Sequence, residues 1–337
     1  MCIRDSTTTV PATTGITTTT VPGTTTPPPT TTIATTTTTT APRQAEWVTV
    51  ALLGGDSGPG RTGVRTDTII VVAIDPAVGR AAMFSVPRNW QNAPFPEGHP
   101  GADPSCNCYP DIVNSLYQHA LANPDLFPGG SNPGGTAVRT VIGHLLGIEI
   151  DYYAIVDLQG FEQAIDVLGG IDITVLAGVN DPGHVHPDGT ISDIVIYPGA
   201  QHMDGRLALA YARARRETDD YNRMGRQRCV LEAVAEQADP VTVVRVLPDL
   251  VDVLTGSLVT DIPTSQWPQF ISLFDTLDTA ATVSVQFVPN APELAGTGTT
   301  YTGNVELVRE TVRAALDLPL DEALGVIGVP SLDDVCG

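Results

Sequence analysis

Two aspartates and a run of arginines are the residues of this chain best suited to chemistry. Asp56 follows Leu52-Leu53-Gly54-Gly55, and Asp67 stands eleven residues later within Arg65-Thr66-Asp67-Thr68. Each falls where an apolar strand ends or begins, so both carboxylates are expected at one sheet edge. One or two carboxylates together with phosphate oxygens are the usual way to hold Mg²⁺. Taken singly, either aspartate reads as a turn or cap residue. Arg65 beside Asp67, and Arg88 in Ser85-Val86-Pro87-Arg88, project from the same strand ends and shift the balance toward an anion site.

The chain carries a formal net charge of −21, and all 17 of its basic residues are arginine. Seven of them lie between Arg206 and Arg228. Guanidinium binds phosphate or carboxylate oxygens in pairs, which suits a docked anion. Arg213, Arg215 and Arg216 close a helix-like run over 207–214, and Arg223, Arg226 and Arg228 open the next, with Asp220 as its expected N-cap. Cations in a first helical turn oppose the helix dipole, a mismatch that a bound anion relieves. The competing reading is a solvated face with local Glu and Asp pairs; the acidic background argues against it.

Around these residues the organisation is a stalk followed by a domain. The first 42 residues contain 21 threonines and six prolines. Such a tract buries too little apolar surface to offset its ordering entropy, and residues 1–45 read as a disordered Thr/Pro-rich tether reaching up to roughly 130 Å. Residues 1–46 contain no apolar run long enough for a signal peptide or membrane helix. The export signal or membrane anchor is therefore expected outside this sequence.

Beyond the tether, strands are predicted at 47–53, 68–74, 80–86, 152–156, 171–175 and 283–288, the second and third forming a hairpin. Helices are predicted at 111–122, 135–146, 158–168, 241–255, 264–277 and 304–316. The alternation defines a single α/β domain over 46–320, a three-layer αβα arrangement with a mixed central sheet, followed by a tail at 321–337. Cysteines at 2, 106, 108, 229 and 336 allow several pairings. In an exported protein the long-range pair Cys229–Cys336 is favoured, tying the tail to the helix after the arginine cluster. Cys106 and Cys108 form a local bridge or stay free.

Several segments together resemble the LytR-CpsA-Psr family of cell-wall glycopolymer ligases. They are Leu52 to Ser57, Arg65 to Thr68, Phe84 to Arg88, Leu158-Gln159-Gly160-Phe161 with Leu168 to Ile171, Pro198-Gly199 with Met203-Asp204-Gly205, Tyr211 to Arg215, and Asp220-Tyr221-Asn222-Arg223 with Arg226-Gln227. Their order and spacing agree over 46–240. The resemblance implies an enzyme outside the cytoplasmic membrane that moves a glycopolymer from a polyprenyl-pyrophosphate carrier onto peptidoglycan through a phosphodiester. It implies that Asp56 and Asp67 hold Mg²⁺ (or Mn²⁺) against the pyrophosphate. Arg65, Arg88, Arg213 and Arg215 are then expected to bind its oxygens, with Asp220, Arg223, Arg226 and Gln227 completing the pocket. Asp67, Arg65 and Arg88 carry the catalytic expectation.

Departures from the family pattern fall after Pro87-Arg88, where Asn89 replaces the usual Asp, a second Arg is missing, and a Pro/Gly/Cys loop follows over 93–110. Asn114 occupies a position where the family usually has Asn, as an acceptor contact or a helix cap. His184 and His186, among Pro, Gly and Asp, read as surface-loop residues. Nucleic acid is disfavoured as a partner, because the net charge repels a polyanion everywhere except one pocket. A polyprenyl-pyrophosphate hydrolase and a non-catalytic binder of anionic wall lipid are the alternative functions.

Overall fold

The structure, a computed structural model, describes residues 47–57, 63–214, 220–237, 246, 249–250, 253–278, 281–287, 294–297, 300–328 and 336. The predicted helix at 241–255 lies largely outside the described residues. A six-stranded sheet runs in the order β11-β6-β1-β2-β3-β12, built from β1 (Val48–Gly55), β2 (Thr66–Ile74), β3 (Ala81–Ser85), β6 (Tyr152–Val156), β11 (Leu258–Thr260) and β12 (Thr282–Gln286). β1 is antiparallel to β2 and parallel to β6, and β2 and β3 form the expected hairpin. The sheet is mixed.

Side-chain alternation along the strands divides the interior in two. Ile69, Val71 and Ala73 of β2, with Ala82 and Phe84 of β3, face one core. Ile70 and Met83 face the other. The first core is covered by α1 (Leu116–Ala122), α2 (Pro133–Leu146), α7 (Val305–Asp317) and α8 (Leu320–Ile327). In α2, Ala137, Val138, Val141, Ile142, Leu145 and Leu146 are all buried, one apolar face at helical spacing. Asn132 caps its start by accepting from the Gly135 N–H at 2.8 Å, and Gly147 ends it at φ 74°.

The second core is covered by α3 (Leu158–Leu168), α4 (Gly205–Arg213) and α5 (Asp220–Gln237). Asp157 and Asp204 cap α3 and α4. Gly205 lets α4 approach α3 closely, since a Cβ there would fall 1.9 Å from the Glu162 carbonyl oxygen. The remaining predicted helix on this chain is shorter than expected, α6 (Trp267–Thr276).

Smaller two-stranded pieces surround the sheet: β4 (Gln91–Pro94) with β5 (Cys108–Ile112), β7 (Ile171–Val175) with β10 (Gly199–Met203), β8 (Val179–Val185) with β9 (Ile191–Ile196), and β13 (Leu294–Thr297) with β14 (Thr300–Gly303). The predicted helix at 111–122 is corrected by one of these. Residues 108–112 pair with β4, a 3₁₀ turn spans Val113–Ser115, and the α-helix begins only at Leu116.

Cys106 is bridged to Cys108, and Cys229 on α5 is bridged to Cys336 across a separation of 107 residues. The second bridge sits in the core beneath α5. Cross-linking a loop of that length restricts the unfolded ensemble. Replacing both Cys229 and Cys336 by alanine is expected to lower stability by about 2–4 kcal/mol in urea unfolding, and non-reducing peptide mapping should recover the two segments joined. Two free thiols in the oxidatively folded protein would contradict the pairing.

Candidate active site

Asp67 sits at an irregularity in the β1–β2 ladder. Gly54 pairs with Thr68 and Gly55 with Thr66, so Asp67 is the extra residue of a bulge. Bulges re-aim side chains, and here the bulge stands at the end of β1, next to Asp56. The Asp56 N–H donates to the Arg65 carbonyl at 3.0 Å, and the Arg65 N–H donates to Asp56 Oδ1 at 2.7 Å. These two bonds fix where the chain leaves and rejoins the sheet.

Three other elements converge on Asp67. Arg88, just past β3, donates from Nη1 to Asp67 Oδ1 at 2.9 Å. Asn114, in the 3₁₀ turn after β5, donates from Nδ2 to the same oxygen at 3.0 Å. Arg223 on α5 donates from Nη1 to the Asp67 carbonyl at 3.2 Å. The 3₁₀ turn is itself bonded back to the Arg88 segment, with Asn114 N–H to Arg88 O at 3.0 Å and Val113 N–H to Trp90 O at 2.8 Å. Burial would raise the Asp67 carboxyl, but the Arg88 charge and hydrogen bond, the Asn114 amide and the Arg223 charge outweigh it and hold the group below its ordinary value.

Asp56 and Asp67 open into a cavity of about 540 Å³ between the sheet and α3, α4 and α5. Its body is apolar, lined by Leu52, Ile70, Phe161, Leu209, Val230 and Leu231. Arg213, Arg223 and Gln227 add polar groups to the same wall as the two carboxylates. Arg213 Nη1 also reaches the Val185 carbonyl at 3.4 Å. An apolar volume with a small set of charged groups suits a ligand with a hydrocarbon body and an anionic head.

The expected arginine set divides on inspection. Arg226 does not line the cavity; its Nε donates to the Tyr211 carbonyl at 2.8 Å and its Nη2 to the Ala214 carbonyl, and it lies over the Tyr211 ring. Gln227 Nε2 reaches the Ala212 carbonyl at 3.4 Å. These side chains satisfy the carbonyls that a helix end leaves without partners, so Arg226 holds the end of α4 rather than facing the ligand space. Arg228 is also turned inward, donating to Ser284 Oγ at 2.7 Å on β12. Burial pushes its guanidinium down to about 10 against the opposing charge of Glu232. The Arg65 side chain is exposed and outside the cavity wall. Asp220 is the first residue of α5; its side chain, and Arg215, lie outside the described residues.

The histidines are corrected most. His184 ends the inner face of β8, is buried, lines the cavity, and holds Asp181 Oδ2 through Nδ1 at 2.8 Å. His186 is buried beside it, with Nε2 on Ser192 Oγ at 2.7 Å. Burial first, then the Arg206 charge, lowers the His186 imidazole. The apolar residues at 191, 194, 195 and 196 were the available signal for this hairpin, whose first strand is interrupted by Pro182 and Gly183.

Two carboxylates on one cavity wall fit a Mg²⁺ ion that takes its other ligands from water and phosphate. The Arg88 and Asn114 bonds do not exhaust the acceptor sites of a carboxylate. Among the described residues, the one three-ligand acidic or thiol cluster is Cys229, Glu232 and Cys336, whose two sulfurs are spent in a disulfide.

The fold and this cavity define a mixed α/β protein whose mainly apolar cavity is also lined by Asp56, Asp67, Arg213 and Arg223. The chain belongs to the LytR_cpsA_psr family, whose profile matches residues 18–322. It is 28% identical over 224 residues to the polyisoprenyl-teichoic acid–peptidoglycan teichoic acid transferase TagU of Oceanobacillus iheyensis, a match covering 65% of this chain and 60% of that protein. The chain thus spans about 60% of the length of this relative. The crystal structure of Bacillus subtilis TagV superposes with a TM-score of 0.59 at 22% identity, covering 81% of this chain and 98% of that one. TagT bound to LIIa-WTA gives a TM-score of 0.55 at 20% identity over 81% and 91% of the two chains. These superpositions share the fold.

Because the fold stabilises ionised Asp67, its contribution is complete at neutral pH and is lost as pH falls from the ordinary carboxylate range through the lower folded value. Arg88→Ala is expected to move the Asp67 carboxyl upward, since burial then acts with less opposition. Carbon-13 NMR titration of the Asp67 side chain reads this directly. An unchanged or lower midpoint would contradict the account.

Proposed function

We propose that this protein transfers a glycopolymer from a polyprenyl-pyrophosphate carrier to a hydroxyl of peptidoglycan, forming a phosphodiester, with Mg²⁺ or Mn²⁺ bound by Asp56 and Asp67. The observation carrying the reading is the continuity of one cavity, apolar in its body and lined also by Asp56, Asp67, Arg213 and Arg223. The names of the teichoic acid transferase relatives support the same reading. Work at the outer face of the cytoplasmic membrane follows from that donor. No helix among the described residues is long and apolar enough to cross a membrane.

In the proposed reaction the acceptor oxygen attacks the phosphorus that bears the glycopolymer. A new P–O bond forms, the bond to the bridging pyrophosphate oxygen breaks, polyprenyl phosphate leaves, and the hydroxyl proton is released. Arg213 and Arg223 bind the diphosphate oxygens and neutralise charge building on the leaving phosphate. Arg88 and Asn114 hold Asp67 in place and ionised. The apolar wall seats the prenyl chain and excludes water from the transferred group. The metal would supply further charge neutralisation at the pyrophosphate.

Purified protein incubated with a synthetic polyprenyl-pyrophosphate oligosaccharide and peptidoglycan fragments should yield the phosphodiester-linked product and polyprenyl phosphate by mass spectrometry, and chelation should stop it. Free glycan phosphate without the joined product would favour hydrolysis; an unchanged donor would favour a binding protein. Asp67→Asn is expected to reduce transfer at least about a hundredfold, as loss of a charged group acting on the reacting centre does, while the fold is retained with some loss of stability because Arg88 loses its ion-pair partner. Equal turnover in the variant would end the assignment.

Arg223→Ala should weaken binding of a prenyl pyrophosphate by roughly ten- to a hundredfold, the value of one charge-assisted hydrogen bond. Arg223→Lys should recover part of it. Arg228→Ala should instead lower thermal stability while leaving affinity nearly intact in the folded fraction. Titration calorimetry giving equal losses at both positions would indicate a diffuse field and no defined pocket.

A further inference from the structure

The β8–β9 hairpin has two unlike faces. Asp181, His184, Ile194 and Ile196 point inward and are buried, and Asp181 and His184 help line the cavity. Strand alternation on a half-buried hairpin normally leaves polar residues outside. Here Val185 (48% exposed), Ile191 (69%), Val195 (53%) and Tyr197 (71%) stand outward, beside Asn180, Pro182 and Asp193. Val185 and Ile191 are direct cross-strand partners. Leu176, at 61% exposed, lies just before β8.

Five of the ten exposed large hydrophobic residues among those described therefore fall between positions 176 and 197. Scattered exposed apolar residues need no explanation, but a cluster of this kind marks a contact surface. The charged residue on the outward face of the strands is Asp193, whose Oδ1 accepts the Gly183 N–H at 2.8 Å.

We infer that the outward face of the β8–β9 hairpin rests in the surface of a lipid bilayer. Val185 belongs both to this face and to the cavity wall, so the exposed apolar surface continues into the apolar interior. The inference rests on reading that interior as the seat of a polyprenyl chain. Bringing each CH₂ of such a chain into water is unfavourable, and a face lying in the bilayer beside the cavity spares it that exposure. A tyrosine among aliphatic residues is suited to the headgroup level, where its ring is buried and its hydroxyl stays wet. The chain's net charge of −21 opposes adhesion to anionic lipid by charge, leaving apolar insertion as the means of contact.

The test uses the full chain and the triple variant Ile191→Thr, Val195→Thr, Tyr197→Thr, which keeps residues suited to strands. Flotation with phosphatidylcholine vesicles is expected to carry the parent protein, and the variant's partition should fall roughly tenfold or more. Adding phosphatidylglycerol should weaken the parent's partition. Both proteins should bind farnesyl pyrophosphate equally in vesicle-free buffer. Equal flotation of parent and variant, or none by the parent, would overturn the inference. So would a parent dimer in sedimentation equilibrium that the variant abolishes, because a second copy would then cover the face. If flotation is lost in the variant while neither protein binds farnesyl pyrophosphate, the bilayer face stands and the reading of the cavity falls.

Discussion

The carboxylate of Asp67 is where the structure is tied together. It stands on a bulge of β2, and its residue is reached by Arg88 beyond β3, by Asn114 beyond β5, and by Arg223 from α5. Four segments are thereby referred to one residue, two through its carboxylate and one through its carbonyl. A partly buried carboxylate resists ionisation unless its surroundings supply compensating charge and donors. Here they do: Arg88 and Asn114 compensate Asp67 from outside the cavity lining, and Arg223 does so from within it. The contacts that stabilise the anion also fix where Asp67 stands in the cavity wall.

The arginines illustrate how one side chain serves two purposes. Arg213 and Arg223 reach the cavity, whereas Arg226 and Arg228 spend their donors on carbonyls and a hydroxyl inside the protein. Arg226 closes the end of α4 that carries Arg213, and Arg228 ties the α5 helix that carries Arg223 to the sheet at β12. A guanidinium with five donors is suited to such bracing because it can bond two acceptors at once.

Much of this was legible in the sequence where a local pattern decides the outcome. The apolar runs of β1, β2 and β3 and the helical spacing of α2 and α3 appear where they were predicted, and the placement of Asp67 and Arg88 at neighbouring strand ends follows from them. The failures share a different cause. Residues 108–112 carry no strong preference and become a strand because β4 offers an edge, Pro94 pairing with Cys108 and Gln91 with Ile112. The 179–196 hairpin was hidden by Pro182 and Gly183, which the structure absorbs as an irregularity between Asp181 and His184. Arg226 could not be assigned from sequence, since a guanidinium reads alike whether its acceptor is phosphate or a helix-end carbonyl.

The bridge between Cys229 and Cys336 also imposes an order of events. Its partners are separated by 107 residues, with α6, α7 and α8 between them. The helix bearing Arg223 and Gln227 therefore gains its covalent tether only after those three helices have been synthesised and the chain has reached an oxidising compartment. In a reducing compartment the same helix is held by packing and hydrogen bonds alone. The cavity wall thus acquires its final rigidity late, and in the place where thiols are oxidised.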